Sequence, residues 1–178
     1  MKTILLAVLL AFQGAEPKPL IDNARVRVWE GRAASKVFEF DTLTVSSTGA
    51  VKFYKAGSNS IAEKEIIEFK PGSVKALPNT TGLPLAMPRP GAKKILDNAR
   101  FTAWDYTWVF GVATPMHFHD KDVVVMFLEE GDLKSTTVEG TVTVNQWTPG
   151  TIRFNARDRA HNEELVQGKQ RAIIVELK

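Results

Sequence analysis

The chain of 178 residues contains no cysteine. That excludes disulfides, thiolate metal sites and cysteine nucleophiles, and leaves the fold to be held by its apolar core alone. It also removes the cysteine that a lipid anchor at a processed amino terminus would need. Histidine is nearly as scarce, with three residues in all. Charge of one sign is missing too: 23 Lys and Arg stand against 20 Asp and Glu, for a net +3. The basic residues are scattered rather than massed in a stripe, which argues against a nucleic-acid partner. No Gly-x-Ser-x-Gly elbow and no phosphate-binding glycine loop occurs. What remains is an apolar share of 44%, enough for a real core in one ordinary domain or two small ones.

The amino terminus reads Lys2, then nine apolar residues from Ile4 to Phe12, then small Gly14 and Ala15. This positive, apolar, small order is that of a secretory leader, and the expected cut follows Ala15, although Gln13 is not the usual small residue at its position. The run is too short to span a bilayer, which needs about 20 residues. The expectation is a secreted or periplasmic protein with no stable membrane anchor; a buried amino-terminal helix is the alternative.

Beyond the leader, the chain repeats itself. Ile21–Glu30 (IDNARVRVWE) returns 75 residues later as Leu96–Asp105 (LDNARFTAWD). Lys70–Leu77 resembles Thr148–Asn155, and Ser47–Tyr54 resembles Glu129–Thr136, in the same order. Between turns the segments alternate with period two or are rich in Val, Ile, Thr and aromatics, which predicts short strands throughout. The expected strands are Ala24–Glu30, Lys36–Val45, Val51–Lys55, Glu65–Phe69 and Ser73–Leu77 in the first half. The second half gives Arg100–Phe110, Met116–His119, Val123–Glu129, Leu133–Thr136, Thr141–Gln146, Thr151–Phe154, Asn162–Val166 and Ala172–Leu177. Proline-bearing Gly82–Lys94 reads as an extended linker. The expected fold is all-β, a sandwich or barrel.

Two of the three histidines lie in Met116–Val125 (MHFHDKDVVV). On a strand, residues two apart share a face, so His117 and His119 project together and Phe118 goes the other way. Two such imidazoles can grip one metal ion at about 2.0–2.2 Å each. His161 follows 42 residues after His119, beyond the Pro149-Gly150 turn, and can return to the same interior.

Gly111, five residues, His117-Phe118-His119, then an apolar strand closing on Gly131 resembles the first cupin motif. Gly140, Pro149-Gly150 and His161 resemble the second. The likeness covers Gly111 to about Glu164 well, and the first repeat only as a worn copy. It implies a cupin-type β-barrel, or jelly roll, in two tandem cupin-like repeats: leader 1–15, a degenerate repeat and linker over 16–90, and a metal-binding cupin domain over 91–178. In the first repeat the ligand positions fall near Ser35, Val37 and Leu83, none of which binds metal. In the second, the position of the family's glutamate falls on Val123 or Val124. Asp122 is an additional ligand only if the turn after His119 is unusual.

The resemblance therefore implies three histidines, His117, His119 and His161, on a divalent Fe, Mn, Cu, Ni or Zn. Without a carboxylate the ion keeps its full charge and is the stronger Lewis acid. Up to three positions stay open on it, enough for a bidentate substrate with dioxygen. The leading function is a metal-dependent enzyme on a small organic molecule, an oxygenase or isomerase. The alternative is a non-catalytic module that captures a sugar, phenolic or organic acid, its metal structural or an anchor; one histidine acting as base without metal is a third. Arg153 and Asn155 share a strand face and are candidates for substrate contact, with Arg157 and Arg159 nearby. Trp104, Tyr106 and Trp108 alternate along one strand, as core or as a stacking wall. Glu163 or Glu164 could hydrogen-bond a ligand imidazole. Many cupins dimerise, so a homodimer is implied by analogy.

Overall fold

The computed structural model describes residues 18–30, 37–59 and 64–178, and every regular element in them is a strand. The leader lies outside the described residues. The amino-terminal half forms β1 (Ile21–Asp22), β2 (Val26–Glu30), β3 (Asp41–Val45), β4 (Val51–Tyr54) and β5 (Glu65–Phe69). The other half forms β6 (Lys93–Asp97), β7 (Phe101–Trp108), β8 (His117–His119), β9 (Val123–Phe127) and β10 (Gly131–Thr137). It continues with β11 (Val142–Trp147), β12 (Ile152–Asn155), β13 (Arg159–Gly168) and β14 (Gln170–Leu177). No helix of the described residues is long and apolar enough to cross a membrane.

Three antiparallel sheets result: β1-β2-β5-β3-β4, β6-β7-β14-β9-β12 and β8-β13-β10-β11. The second sheet lies between the other two. One of its faces, with Phe101, Val124, Met126 and Ile173, packs on Val28, Leu43, Val45 and Ile67 of the first. Its other face, with Trp108, Val125, Phe127 and Ile174, meets Leu133 and Leu165 of the third. Burial on both sides explains why β9 is apolar at every position instead of alternating.

The 75-residue repeat is a repeated hairpin. Asn23 Oδ1 accepts from the amides of Arg25 (2.8 Å) and Val26 (3.0 Å). Asn98 Oδ1 accepts from Arg100 (2.8 Å) and Phe101 (3.1 Å). These are the same side-chain-closed turn, for which asparagine is suited. Each opens a five-stranded sheet of the same order, β1-β2-β5-β3-β4 matching β6-β7-β14-β9-β12. The repeated arginines clasp the halves reciprocally. Arg25 donates to Asp122 at 2.9 Å and to the Lys178 carbonyl at 3.2 Å, and Arg100 donates to the carbonyls of Phe69, Lys70 and Gly72.

The other two sequence likenesses fall at non-equivalent places. Lys70–Leu77 follows β5 without forming a strand, whereas Thr148–Asn155 contains β12. Ser73–Leu77 stays irregular: among the described residues its backbone–backbone bond is Leu77 N–H to the Asp120 carbonyl, outside any strand. Ser47–Tyr54 turns within one sheet, whereas Glu129–Thr136 crosses from the second sheet to the third. Among the described residues the amino-terminal half supplies one sheet, with no counterpart of the histidine-bearing one.

The expected linker does more than connect. Lys93 and Lys94 already belong to β6, and Pro84–Ala86 runs beside β8, where the Phe118 amide donates to the Pro84 carbonyl and Ala86 to the Phe118 carbonyl, both at 2.9 Å.

Because the two halves share one core, unfolding in urea should show a single transition. Ile67→Ala, which empties space at the centre of that core, should lower stability by about 2–4 kcal/mol. Two separated transitions, or an effect confined to one of them, would contradict the shared core.

Candidate metal centre

Strand β8 is short, and its register against β13 builds the site. His117 stands opposite His161, and His119 opposite Arg159. Directly paired residues project to the same face, so all four side chains point into the space between the second and third sheets. Phe118 points the other way and is buried, while its backbone pairs with the Pro84–Ala86 segment.

The three imidazole rings have centroids 4.9–5.0 Å apart, steeply inclined to one another. One nitrogen from each lies within 4.8 Å of the others. His119 Nε2 and His161 Nε2 are 3.2 Å apart, a separation that fits two ligand bonds of about 2.1 Å meeting at about 100°. His117 Nδ1 lies 2.8 Å from the Pro115 carbonyl, which can only accept, so Nδ1 carries the proton and Nε2 keeps its lone pair. That Nε2 is buried and has no hydrogen-bond partner. A buried imidazole fixed in one tautomer with its other nitrogen orphaned is what a metal ligand looks like. The donor set therefore fits a divalent ion.

Burial pushes all three imidazoles below the ordinary histidine range, because the charged form is poorly solvated there. The His161 value falls to about 4, with Glu163 opposing the shift and Arg159 among the groups adding to it. The rings are thus neutral and ready to ligate across the physiological range.

Glu163 shares a face with His161, and its Oε1 is 3.9 Å from His161 Nε2. Its Oε2 accepts from Arg89 Nη1 (3.2 Å) and Trp108 Nε1 (3.3 Å). Burial is the largest single influence and opposes its ionisation, but Arg89, His161 and His117 together hold the carboxyl below its usual range. Glu164 points away and pairs with Lys134. Asp122 stands apart from the histidine group. Its carboxylate takes up Arg25 Nη1 and the Arg157 amide, each at 2.9 Å.

His119 and His161 open onto a cavity of about 220 Å³, with His117 buried behind them. Arg153 and Asn155 line it, as their shared face on β12 requires, together with Arg159, Phe127 and Trp147. Tyr106 is packed behind the wall, with the Arg89 guanidinium 3.9 Å from its ring centre. Trp104, Tyr106 and Trp108 all belong to the interior cluster, and Trp108 also reaches the cavity. Arg159 lies ahead of the expected strand Asn162–Val166; the structure begins that strand at Arg159, which puts it on the His161 face. Arg89 carried no readable signal, because it sits in the proline-rich connection, where no periodicity assigns a face.

No family model matches the chain, and no curated protein matches it. Solved structures do. A cupin 2 conserved barrel domain protein from Leptotrichia buccalis aligns over 90% of this chain and 87% of its own, with a TM-score of 0.50 and 10% identity. A cupin domain from Bordetella pertussis Tohama I is 28% identical over 52% of this chain and 98% of its own, with a TM-score of 0.44. An RmlC-like cupin family protein from Methanocaldococcus jannaschii is 11% identical over 48% and 77%, with a TM-score of 0.41. The three-sheet packing, the histidine-lined cavity and the near full-length match to the Leptotrichia protein agree: the chain has the fold of the cupin superfamily.

Proposed function

We propose that this is an exported, metal-dependent cupin enzyme acting on a small organic molecule, an oxygenase or isomerase, with His117, His119 and His161 holding Fe, Mn, Cu, Ni or Zn. The single observation that supports it most is the orphaned Nε2 of His117, grouped with two other neutral imidazoles that line a cavity. A divalent ion held there would supply a Lewis acid with its full charge, open to substrate on the cavity side. The Pro115 carbonyl fixes the His117 tautomer, and the Arg89 and Trp108 contacts hold Glu163 beside His161. The apolar wall of Val125, Phe127 and Ile174 limits water at the site. A second reading, capture without turnover, draws support from Glu163: the carboxylate nearest the histidines is tied on one oxygen to two donors rather than free as a base.

Metal-free protein incubated with each of the five ions and dialysed should retain about one equivalent of at least one of them, and His119→Ala should retain none. If the protein is an enzyme, that variant loses turnover while keeping its fold. If the ion is structural, its melting temperature falls markedly instead.

Proton competition sets the acid limit. Since His161 takes up a proton only at about 4 in the folded protein, the ion should stay bound from pH 7 to 5 and be lost only as pH falls below 4. The sign for stability follows. Below about 6.5 the unfolded imidazoles bind protons that the folded ones refuse, so metal-free protein should lose stability as pH falls from 6.5 toward 4. Because buried Glu65, raised to about 7, acts with the opposite sign in this window, the check is a comparison: a pH profile of the melts unchanged by His119→Ala would contradict the buried, neutral rings.

A further inference from the structure

The cavity has an excess of positive charge, and, on the reading that the three histidines hold a divalent ion, that excess points to the class of substrate. Strand β13 sends Arg159, His161, Glu163 and Leu165 to one face, which places the Arg159 guanidinium beside the histidine centre. Its Nε donates to the Ala156 carbonyl at 2.6 Å, while its Nη2 is buried with no hydrogen-bond partner. No described carboxylate forms an ion pair with it; Glu163 and Asp122 act on it only at longer range. Burial of an unpaired guanidinium is costly unless something else satisfies it.

The other charges at the wall are matched. Arg89 is paired with Glu163, and Glu176 accepts from Trp104 Nε1 at 2.9 Å with Lys121 at 4.0 Å. Arg153 adds a second cation at the rim, 5.4 Å from the centre of the Trp147 ring. Three neutral imidazoles would leave the ion's charge undiminished. The same cavity has apolar lining, where Phe127 and Trp147 stack at 4.7 Å and Val125 and Leu133 also contribute. The volume of about 220 Å³ is below the range of drug-sized ligands.

We propose that the cavity binds a small organic carboxylate, its anionic head on Arg159 beside the metal centre and its apolar body against the Val125, Phe127 and Trp147 wall. Arg153 acts as a second, more exposed cation that draws the acid in. One buried guanidinium next to an apolar wall suits a carboxylate with a hydrocarbon body better than a phosphate, which would call for more donors.

The test uses the full chain with and without zinc, and titrates in benzoate, neutral benzamide and inorganic phosphate. Tryptophan fluorescence serves as the readout, since Trp108 and Trp147 line the cavity. Benzoate should bind about tenfold or more tightly than benzamide, and phosphate more weakly than benzoate. Arg159→Gln should loosen benzoate about tenfold and leave benzamide binding and zinc content unchanged, with Arg159→Lys recovering part of the loss. Arg153→Gln should loosen it less, and serves in its place should Arg159→Gln not fold. Equal binding of benzoate and benzamide, tighter binding of phosphate, or indifference to both arginine changes would overturn the proposal. Zinc content is read separately. Charge discrimination without zinc retention would remove the metal centre and leave the carboxylate site standing; zinc retention without discrimination would remove only the carboxylate site.

Discussion

The site depends on the register between two strands, β8 and β13, which sets His117 against His161 and His119 against Arg159. A slip of one residue would turn the rings of one strand to the far side of the sheet. The register is held on both edges of β8: β13 pairs on one side, and the Pro84–Ala86 segment hydrogen-bonds Phe118 on the other. Phe118, buried with its ring turned opposite to the histidines, anchors the strand so that both histidines face inward.

Behind this arrangement stands the sheet β6-β7-β14-β9-β12, buried on both faces. Its inner face forms the cavity floor, and its outer face is covered by the amino-terminal sheet. That second sheet copies the first in strand order and in the Asn-closed hairpin that opens it, and the two repeated arginines tie the halves together. The copy lacks histidine strands among the described residues and acts as a cover. An apolar face that would otherwise meet water is thereby removed from it, which stabilises the barrel without cysteine.

Much of this was legible in the residues. Alternation and β-branched content identified an all-β chain, and Glu65–Phe69 forms a strand with the predicted bounds. The convergence of three histidines followed from period-two geometry and motif spacing. Other features could not be read because they depend on tertiary contacts. Ser73–Leu77 has strand-like composition but finds no partner strand. Lys93 and Lys94 fall in the stretch that reads as linker but are paired as strand by β7. Asp122 lies near the histidines in sequence, yet the Arg25 clasp, 97 residues away in the chain, draws its carboxylate elsewhere. Of the cationic wall, Arg153 follows from strand alternation, Arg159 lies ahead of the expected strand Asn162–Val166, and Arg89 comes from a segment with no periodicity at all.

The account turns on whether one ion sits where the three rings meet. X-ray absorption at the edge of the bound metal, on protein loaded with a single equivalent, measures this directly. The account predicts three imidazole nitrogens at about 2.0–2.2 Å, with light-atom ligands from solvent completing the shell. A spectrum showing one imidazole or none would mean that the ion is held elsewhere, and that the histidine cluster is not the metal centre.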